Sequence, residues 1–334
     1  MRIAFLEVDK EEFNFFKKNL RNHKLFFFNK PLNEKTLAKI KEVECLVVFV
    51  HSQISREILE KLPNLRYILT MSMGYDHIDI DYCKQKNIIV SNVPTYSENS
   101  VAEHTFSLIL ALSRKLYQSI ERTHHENSFE TDDSLMGFDL NGKTLGVIGC
   151  GSIGKNVVKI AKGFGMKVLV VDKCRIPRMA NGMGFEYSNL DRLLKNSDII
   201  SLHVPYTNKT HHLIDKNAIN KMKKGVYLIN TARGAVVDTV ALVYGLKSGK
   251  IAGVGLDVLE EEKNIIEERE LIKKEISNDT NLRVLLLGHQ LMKMNNVIIT
   301  PHNAFNSAES QKNLLKISIK TIKSFLKGKP INTV

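Results

Sequence analysis

Three charged residues in the second half of this chain could act on one small molecule: Arg233 in LINTARGAVVD, Glu262 in GLDVLEEE and His302 in IITPHNAF. Each follows an apolar, β-forming run. In open parallel sheets, ligands bind outside the carboxyl ends of the strands. Arginine offers a planar fork of donors and a charge that is not lost, which suits a carboxylate. Histidine titrates near neutral pH and can give a proton to a carbonyl oxygen as hydride reaches the carbon. A glutamate beside it favours the imidazolium and fixes the ring. Each residue also has a plainer reading. Arg233 could form a surface ion pair, Glu262 could belong to a solvated acidic run with Glu260 and Glu261, and His302 could cap or pack. Their joint placement after strands of one series favours the chemical reading, reduction of a 2-keto acid.

The hydride would come from a dinucleotide. LGVIGCGSIGKNVVKI holds Gly149, Gly151 and Gly154 as GxGxxG. That pattern alone is weak, but here it follows an apolar strand and opens a helix, and Asp172 ends the next apolar run. This is the context of a dinucleotide fingerprint. The first glycine permits a tight turn, the second lets backbone approach the pyrophosphate, and the third lets helix and strand pack. The helix N-terminus then presents N–H groups to the phosphates. Asp172 would accept hydrogen bonds from ribose hydroxyls and repel a 2′-phosphate. NAD is therefore the expected cofactor, and no metal is expected.

The elements that must position these groups alternate. RIAFLEV, LFFFN, CLVVFV, LRYILTMS and NIIVSNV read as strands, with EEFNFFKKNL and SREILEKL as helices among them. A second series runs TLGVIG, KVLVVD, DIISLHV, GVYLINTA, IAGVGLDV and NVIIT. Its runs are nearly continuous in apolar residues, as strands covered on both faces are. The stretch ENSVAEHTFSLILALSRKLYQSIERTHH reads as helix that crosses a domain boundary and packs on another subunit. Residues 263–295 read as a long charged connection, helical at EERELIKKEI and LLLGHQLMKM.

Length and composition set bounds. At 334 residues, two domains are expected. No run spans a membrane, and the N-terminus reads as a first strand. The four scattered cysteines, Cys45, Cys83, Cys150 and Cys174, fit a reducing cytoplasm. The net charge of +12 raises nucleic acid as a partner. The lysines are spread along the chain among acidic residues, however, and no zinc-finger spacing or aromatic RNA-binding strand is present, so no nucleic-acid partner is expected.

On SMGYDHID, VPTYSENSVAEHT, LGVIGCGSIGKNV, SLHVPYT, NTARGAVVD, GLDVLEEE and ITPHNAF, the chain resembles the D-isomer-specific 2-hydroxyacid dehydrogenases, and among them the D-lactate dehydrogenase branch. The resemblance covers nearly the whole chain. It implies two Rossmann-like, doubly wound α/β domains with an active-site cleft between them. Residues 1–98 and 303–334 would form the substrate domain and 99–302 the NAD-binding domain, in a homodimer with the long helix from Val101 as its contact. It implies catalysis by Arg233, Glu262 and His302. It implies cofactor contacts at Ser152, Ile153, Asp172, Val204, Pro205, Thr231, Ala232 and Asp257, besides the three glycines. Met73, Gly74, Tyr96 and Arg233 would meet the substrate. The expected reaction is pyruvate to D-lactate. Hydroxypyruvate, glyoxylate and 3-phosphoglycerate enzymes are the near alternatives, and an NAD-sensing corepressor is an alternative of another class. Such corepressors typically place a tryptophan near the site, and this chain has none. It departs from the common family pattern at Met71, Lys263 and Asn306.

Overall fold

The computed structural model describes residues 1–262 and 282–334. The chain forms two compact units, Met1–Ser97 with Asn306–Val334, and Glu98–Phe305. The expected division after His302 assigned residues 303–305 to the first unit. They stay with the second because the Asp257 carboxylate accepts hydrogen bonds from the Asn303 and Ala304 N–H groups.

The first unit is a five-stranded sheet: β1 (Arg2–Phe5), β2 (Lys24–Phe27), β3 (Cys45–Val48), β4 (Tyr67–Thr70) and β5 (Ile89–Ser91). The order is β2-β1-β3-β4-β5, with every pairing parallel. CLVV and YILT are buried at every position. That is why they read as continuous apolar runs and not as alternating ones. Helix Ala308–Leu326 returns to this unit, where Phe325 stacks on Tyr67 with ring centroids 4.0 Å apart.

The second unit has seven strands: β6 (Thr144–Ile148), β7 (Lys167–Val171), β8 (Glu186–Tyr187), β9 (Ile199–Leu202), β10 (Val226–Asn230), β11 (Ile251–Leu256) and β12 (Val297–Ile299). Their order is β12-β11-β10-β9-β6-β7-β8, again parallel throughout. Both sheets are doubly wound. The first follows the flavodoxin-like order and the second the dinucleotide-binding order with one strand added. The two-residue β8 was not anticipated, being too short to show a period.

The long apolar stretch after Ser97 differs from its expectation. It forms two helices, Glu98–Ser113 and Leu116–His124, with Lys115 between them at φ +52°. No glycine or proline marks the break. The cause is tertiary, since the Phe138 N–H takes the Ser113 carbonyl at 2.8 Å and Gly137 lies directly against it. The first helix buries Val101, Ala102, Phe106, Leu108, Ile109 and Leu112 inside its own unit. The second helix buries no residue and exposes Leu116, Tyr117 and Ile120. LLLGHQLMKM falls largely in helix Leu282–Met292. The expected helix EERELIKKEI lies outside the described residues.

Candidate active site

The loop after β6 is built by its glycines. Gly149 sits at φ +93°, and a Cβ there would be 2.5 Å from the His203 carbonyl oxygen. A Cβ at Gly154 would come within 2.1 Å of the Gly149 carbonyl oxygen. Both positions therefore admit only glycine, for the turn and for the close approach of helix to strand. Gly151 is different, because a Cβ there would meet nothing within 4 Å. It is the N-cap of helix Ser152–Gly163 and supplies no side-chain cap. The first turn, at Ser152 and Ile153, thus has no side-chain cap on its N–H groups, as an anion site requires. Asp172, at the end of β7, ties the loop down by accepting from Cys150 N–H at 2.6 Å and Cys174 N–H at 2.7 Å. The next loop across the sheet, after β9, carries His203, partly buried Val204 and exposed Pro205. Its bend is fixed by a Thr210 hydroxyl donating to the Pro205 carbonyl at 2.7 Å. Thr231, after β10, is buried beside Thr105, with hydroxyl oxygens 3.0 Å apart, and Ala232 is partly buried.

The three charged residues follow β10, β11 and β12 of the same sheet. His302 Nδ1 lies 2.7 Å from Glu262 Oε1. Burial raises the Glu262 carboxyl, but it is outweighed by the hydrogen bond and charge of His302, by the Leu259 N–H and by the Arg233 charge. The net pKa is below the ordinary carboxyl value. Glu262 is therefore an anion at neutral pH, Nδ1 carries the proton it accepts, and Nε2 is the ring nitrogen left for chemistry. His302 itself stands at φ +50°, unusual for a residue with a side chain. Its N–H donates to the Asp257 and Thr300 carbonyls at 2.8 and 2.9 Å. The Asp257 carboxylate, only 1 % exposed, accepts from the Thr300 hydroxyl at 2.6 Å and from Asn303 and Ala304 N–H. Asp257, which the resemblance assigns to the cofactor, is thus turned into the protein to brace the His302 turn.

Arg233 and Glu262 are linked through backbone. A Cβ on Gly234 would fall 2.1 Å from the Leu259 carbonyl, so the loop carrying Arg233 rests directly on the one carrying Glu262. The Asn230 side chain closes the Arg233 turn, accepting from Ala232 N–H at 3.0 Å and donating to the Arg233 carbonyl at 2.9 Å.

In the first unit, Met73 and Gly74 follow β4 and are partly buried, while Tyr96 is 6 % exposed. Asn306 opens the returning segment and accepts from Gln311 Nε2 at 3.3 Å.

Residues 106–304 match the NAD binding domain of the D-isomer specific 2-hydroxyacid dehydrogenases. The chain belongs to that family. It is 38% identical over 307 residues to a glyoxylate reductase of Thermococcus litoralis, across 89% of this chain and 85% of that protein. It is 41% identical over 277 residues to an aromatic 2-oxoacid reductase of Clostridium sporogenes, across 82% and 80%. Among solved structures, a D-lactate dehydrogenase of Aquifex aeolicus, complexed with NAD and lactic acid, superposes with a TM-score of 0.89 at 41% identity, covering 98% of this chain and 96% of that one. As a member of the family, the chain is an NAD-dependent oxidoreductase of small 2-hydroxy and 2-keto acids. The open helix end at Gly151 and the anchored Asp172 fit that cofactor. Among the described residues, no helix is long and apolar enough to cross a membrane, and no group of three His, Cys, Asp or Glu is placed to hold a metal ion.

Three residues near the site were not singled out from the sequence. His203 closes on Gly149, and its Nε2 bonds Ser201 Oγ at 2.8 Å. Burial pulls its pKa down to about 3, so it is neutral. His104 Nε2 reaches Thr300 Oγ1 at 2.9 Å and lies 3.5 Å from Asp257 Oδ1. Asn230 was hidden in a strand run. Its place two residues before a turn was the one available signal, since Asn side chains bond the backbone two residues on.

Proposed function

We propose that the protein reduces pyruvate to D-lactate with NADH, using Arg233, Glu262 and His302. The observation that carries this reading is the 2.7 Å His302–Glu262 pair, with the Arg233 charge beside it, on the sheet edge that also holds the glycine loop. A nicotinamide held there would supply the hydride that the carbonyl carbon takes up. His302 Nε2–H gives its proton to the carbonyl oxygen, and the C=O becomes CH–OH. Ionised Glu262 keeps the proton on Nδ1 and stabilises the imidazolium before transfer. Arg233 binds the carboxylate through its fork. The cofactor is held by Gly149, Gly151, Ser152, Ile153 and Gly154 at the pyrophosphate. Asp172 would accept from the ribose hydroxyls and favour NADH over NADPH. Val204, Pro205, Thr231 and Ala232 line the rest, and Asp257 positions His302. Met73, Gly74 and Tyr96 make the first unit the substrate-binding one.

The functional unit is a homodimer in the cytoplasm. Helix Leu116–His124 offers Leu116, Tyr117 and Ile120 at 47 %, 50 % and 54 % exposure as the contact. The cytoplasm is supported by the four cysteines, all free.

The test is NADH oxidation against pyruvate, glyoxylate, hydroxypyruvate and phenylpyruvate. Highest kcat/KM for pyruvate is expected, since a methyl group needs no partner. A clear preference for hydroxypyruvate, glyoxylate or phenylpyruvate rejects the lactate assignment and leaves the proton-transfer assignment standing.

A further inference from the structure

The geometry points to Glu260 as a positioning residue for the reaction: its carboxylate, gripped by His212 and Thr239, locks the loop that carries Arg233 to the loop that carries Glu262. This rests on the proposed catalytic roles of Arg233, Glu262 and His302.

Glu260 could pass for part of a solvated acidic run, yet its side chain is only 12 % exposed. Its Oε1 lies 2.7 Å from His212 Nε2. Its Oε2 accepts from the Thr239 hydroxyl at 2.7 Å and from the Thr239 N–H at 3.2 Å. Thr239 is buried and opens helix Thr239–Lys247. A helix leaves its first N–H groups without internal partners. Here Glu260 takes that of Thr239, and the Asp238 carboxylate takes those of Val240 and Ala241. A carboxylate in that place also meets the positive end of the helix. His212 is tied to the same region, since its N–H donates to the Ala235 carbonyl at 2.9 Å. One carboxylate thus joins the segments that follow β9, β10 and β11.

The place of this clamp is what connects it to the reaction. The loop after β10 carries Arg233. The Asn230 side chain fixes its near end, and Glu260 fixes its far end at Thr239. In the loop after β11, Leu259 lies against Gly234. The Leu259 N–H donates to Glu262 Oε2 at 3.2 Å, and its carbonyl accepts from the Glu262 N–H at 3.3 Å. Glu262 Oε1 meets His302 Nδ1. Glu262 therefore aims at His302 from a platform, Leu259, that the adjoining Glu260 pins. Glu261 stands at φ +58° and His212 at φ +48°. Left-handed residues with side chains persist only where their surroundings hold them, and they cluster at active sites. Loss of the Glu260 charge loosens both loops where they meet. A small displacement there moves the Arg233 fork relative to the proton donor.

The test uses Glu260→Gln, Thr239→Val and Thr239→Ser in the full chain, and Glu260→Gln combined with His302→Ala. The substrate is whichever of the four keto acids the wild type reduces fastest. Readouts are kcat, KM, NADH affinity and thermal melting. Glu260→Gln keeps the size of the side chain and removes its charge. It should lower kcat by about tenfold or more, the order of loss that a small misplacement of reacting groups produces. NADH affinity should hold, because the glycine loop follows a different strand. Thr239→Val should lower kcat in the same direction, and Thr239→Ser, which keeps the hydroxyl, should retain most of the wild-type rate. In the His302→Ala background Glu260→Gln should cost far less than it does alone, because alignment with an absent donor no longer counts. Wild-type kcat in folded Glu260→Gln overturns the inference. So does a lowered melting temperature with kcat unmoved, and so does a full additional loss in the His302→Ala background. A wild type that reduces none of the four acids rejects the catalytic roles on which the inference rests, whereas an active wild type with an equally active Glu260→Gln rejects the inference alone.

Discussion

The first strand of each sheet begins the same motif, a parallel strand followed by a turn and a helix, yet the two units treat the helix N-terminus in opposite ways. In the first unit, helix Lys10–Asn19 is closed by a capping box. The Asp9 carboxylate accepts from Glu11 and Glu12 N–H, and the Glu12 carboxylate accepts from Asp9 N–H. Its first turn is acidic and its donors are spent. In the second unit, helix Ser152–Gly163 has Gly151 at the cap, no side-chain cap and no acidic residue in its first turn. The crevice between the central strands is also treated differently. Glu7 bridges β1 to the loop after β3, accepting from the Ser52 hydroxyl and from His51 N–H at 3.2 Å. Beside β6 and β9, Gly149 lies against the His203 carbonyl, and the His203 N–H donates to the Ile148 carbonyl at 2.7 Å. One architecture thus carries a cofactor site in one unit and a braced turn in the other. The difference lies in a few residues at the cap.

The chemistry that depends on the open unit gives the largest expected effect. His302→Ala should lower kcat for pyruvate by roughly 10²–10⁴-fold, the contribution of a general acid. NADH affinity should stay near wild type, because His302 is not part of the glycine loop. Near-normal turnover in that variant would remove His302 from the mechanism.

Glu262→Gln should act through pH. Glu262 lies below the ordinary carboxyl range in the folded protein because His302, Leu259 N–H and Arg233 together outweigh burial. Deleting its charge removes the anion that holds the proton on His302 Nδ1, so the reduction rate should fall. The sign for stability follows the same shift. A depressed folded pKa adds stability above the ordinary carboxyl range, and that stability is lost as pH falls through the folded value. The melting temperature of wild type should therefore exceed that of Glu262→Gln at neutral pH, with the gap narrowing on acidification. A gap that widens in acid contradicts the pairing.

Much of this was legible in the sequence because it rests on short-range rules. The strands of both sheets announce themselves as apolar runs, and the GxGxxG and Asp172 fix one another by spacing. Arg233, Glu262 and His302 each follow a strand of one sheet. What stayed hidden depends on distant partners. The break at Lys115 is made by Phe138 and Gly137, two dozen residues on. The bracing of His302 by Asp257 joins residues from different strands, and the Glu7–Ser52 bridge spans a crossover. The capping box at Asp9 was readable from its spacing, but its meaning appears only beside the uncapped helix of the other unit.

The closed end should matter least. Asp9→Ala removes an N-cap and should cost about 1 kcal/mol of stability, the usual worth of such a cap. NADH affinity and turnover should be unchanged. Thermal melting and an NADH titration check both, and a large loss of NADH affinity would mean that this helix end also serves the cofactor.

The most direct test gives the open helix the chemistry of the closed one. Gly151→Asp places a carboxylate at the N-cap, where a Cβ meets no neighbour, so the fold should tolerate it. NADH binding, followed by nicotinamide fluorescence, should weaken about tenfold or more from like-charge repulsion of the pyrophosphate. The melting temperature should hold or rise as the helix gains its cap. Unchanged NADH affinity in the folded variant would contradict the assignment of this helix end to the cofactor.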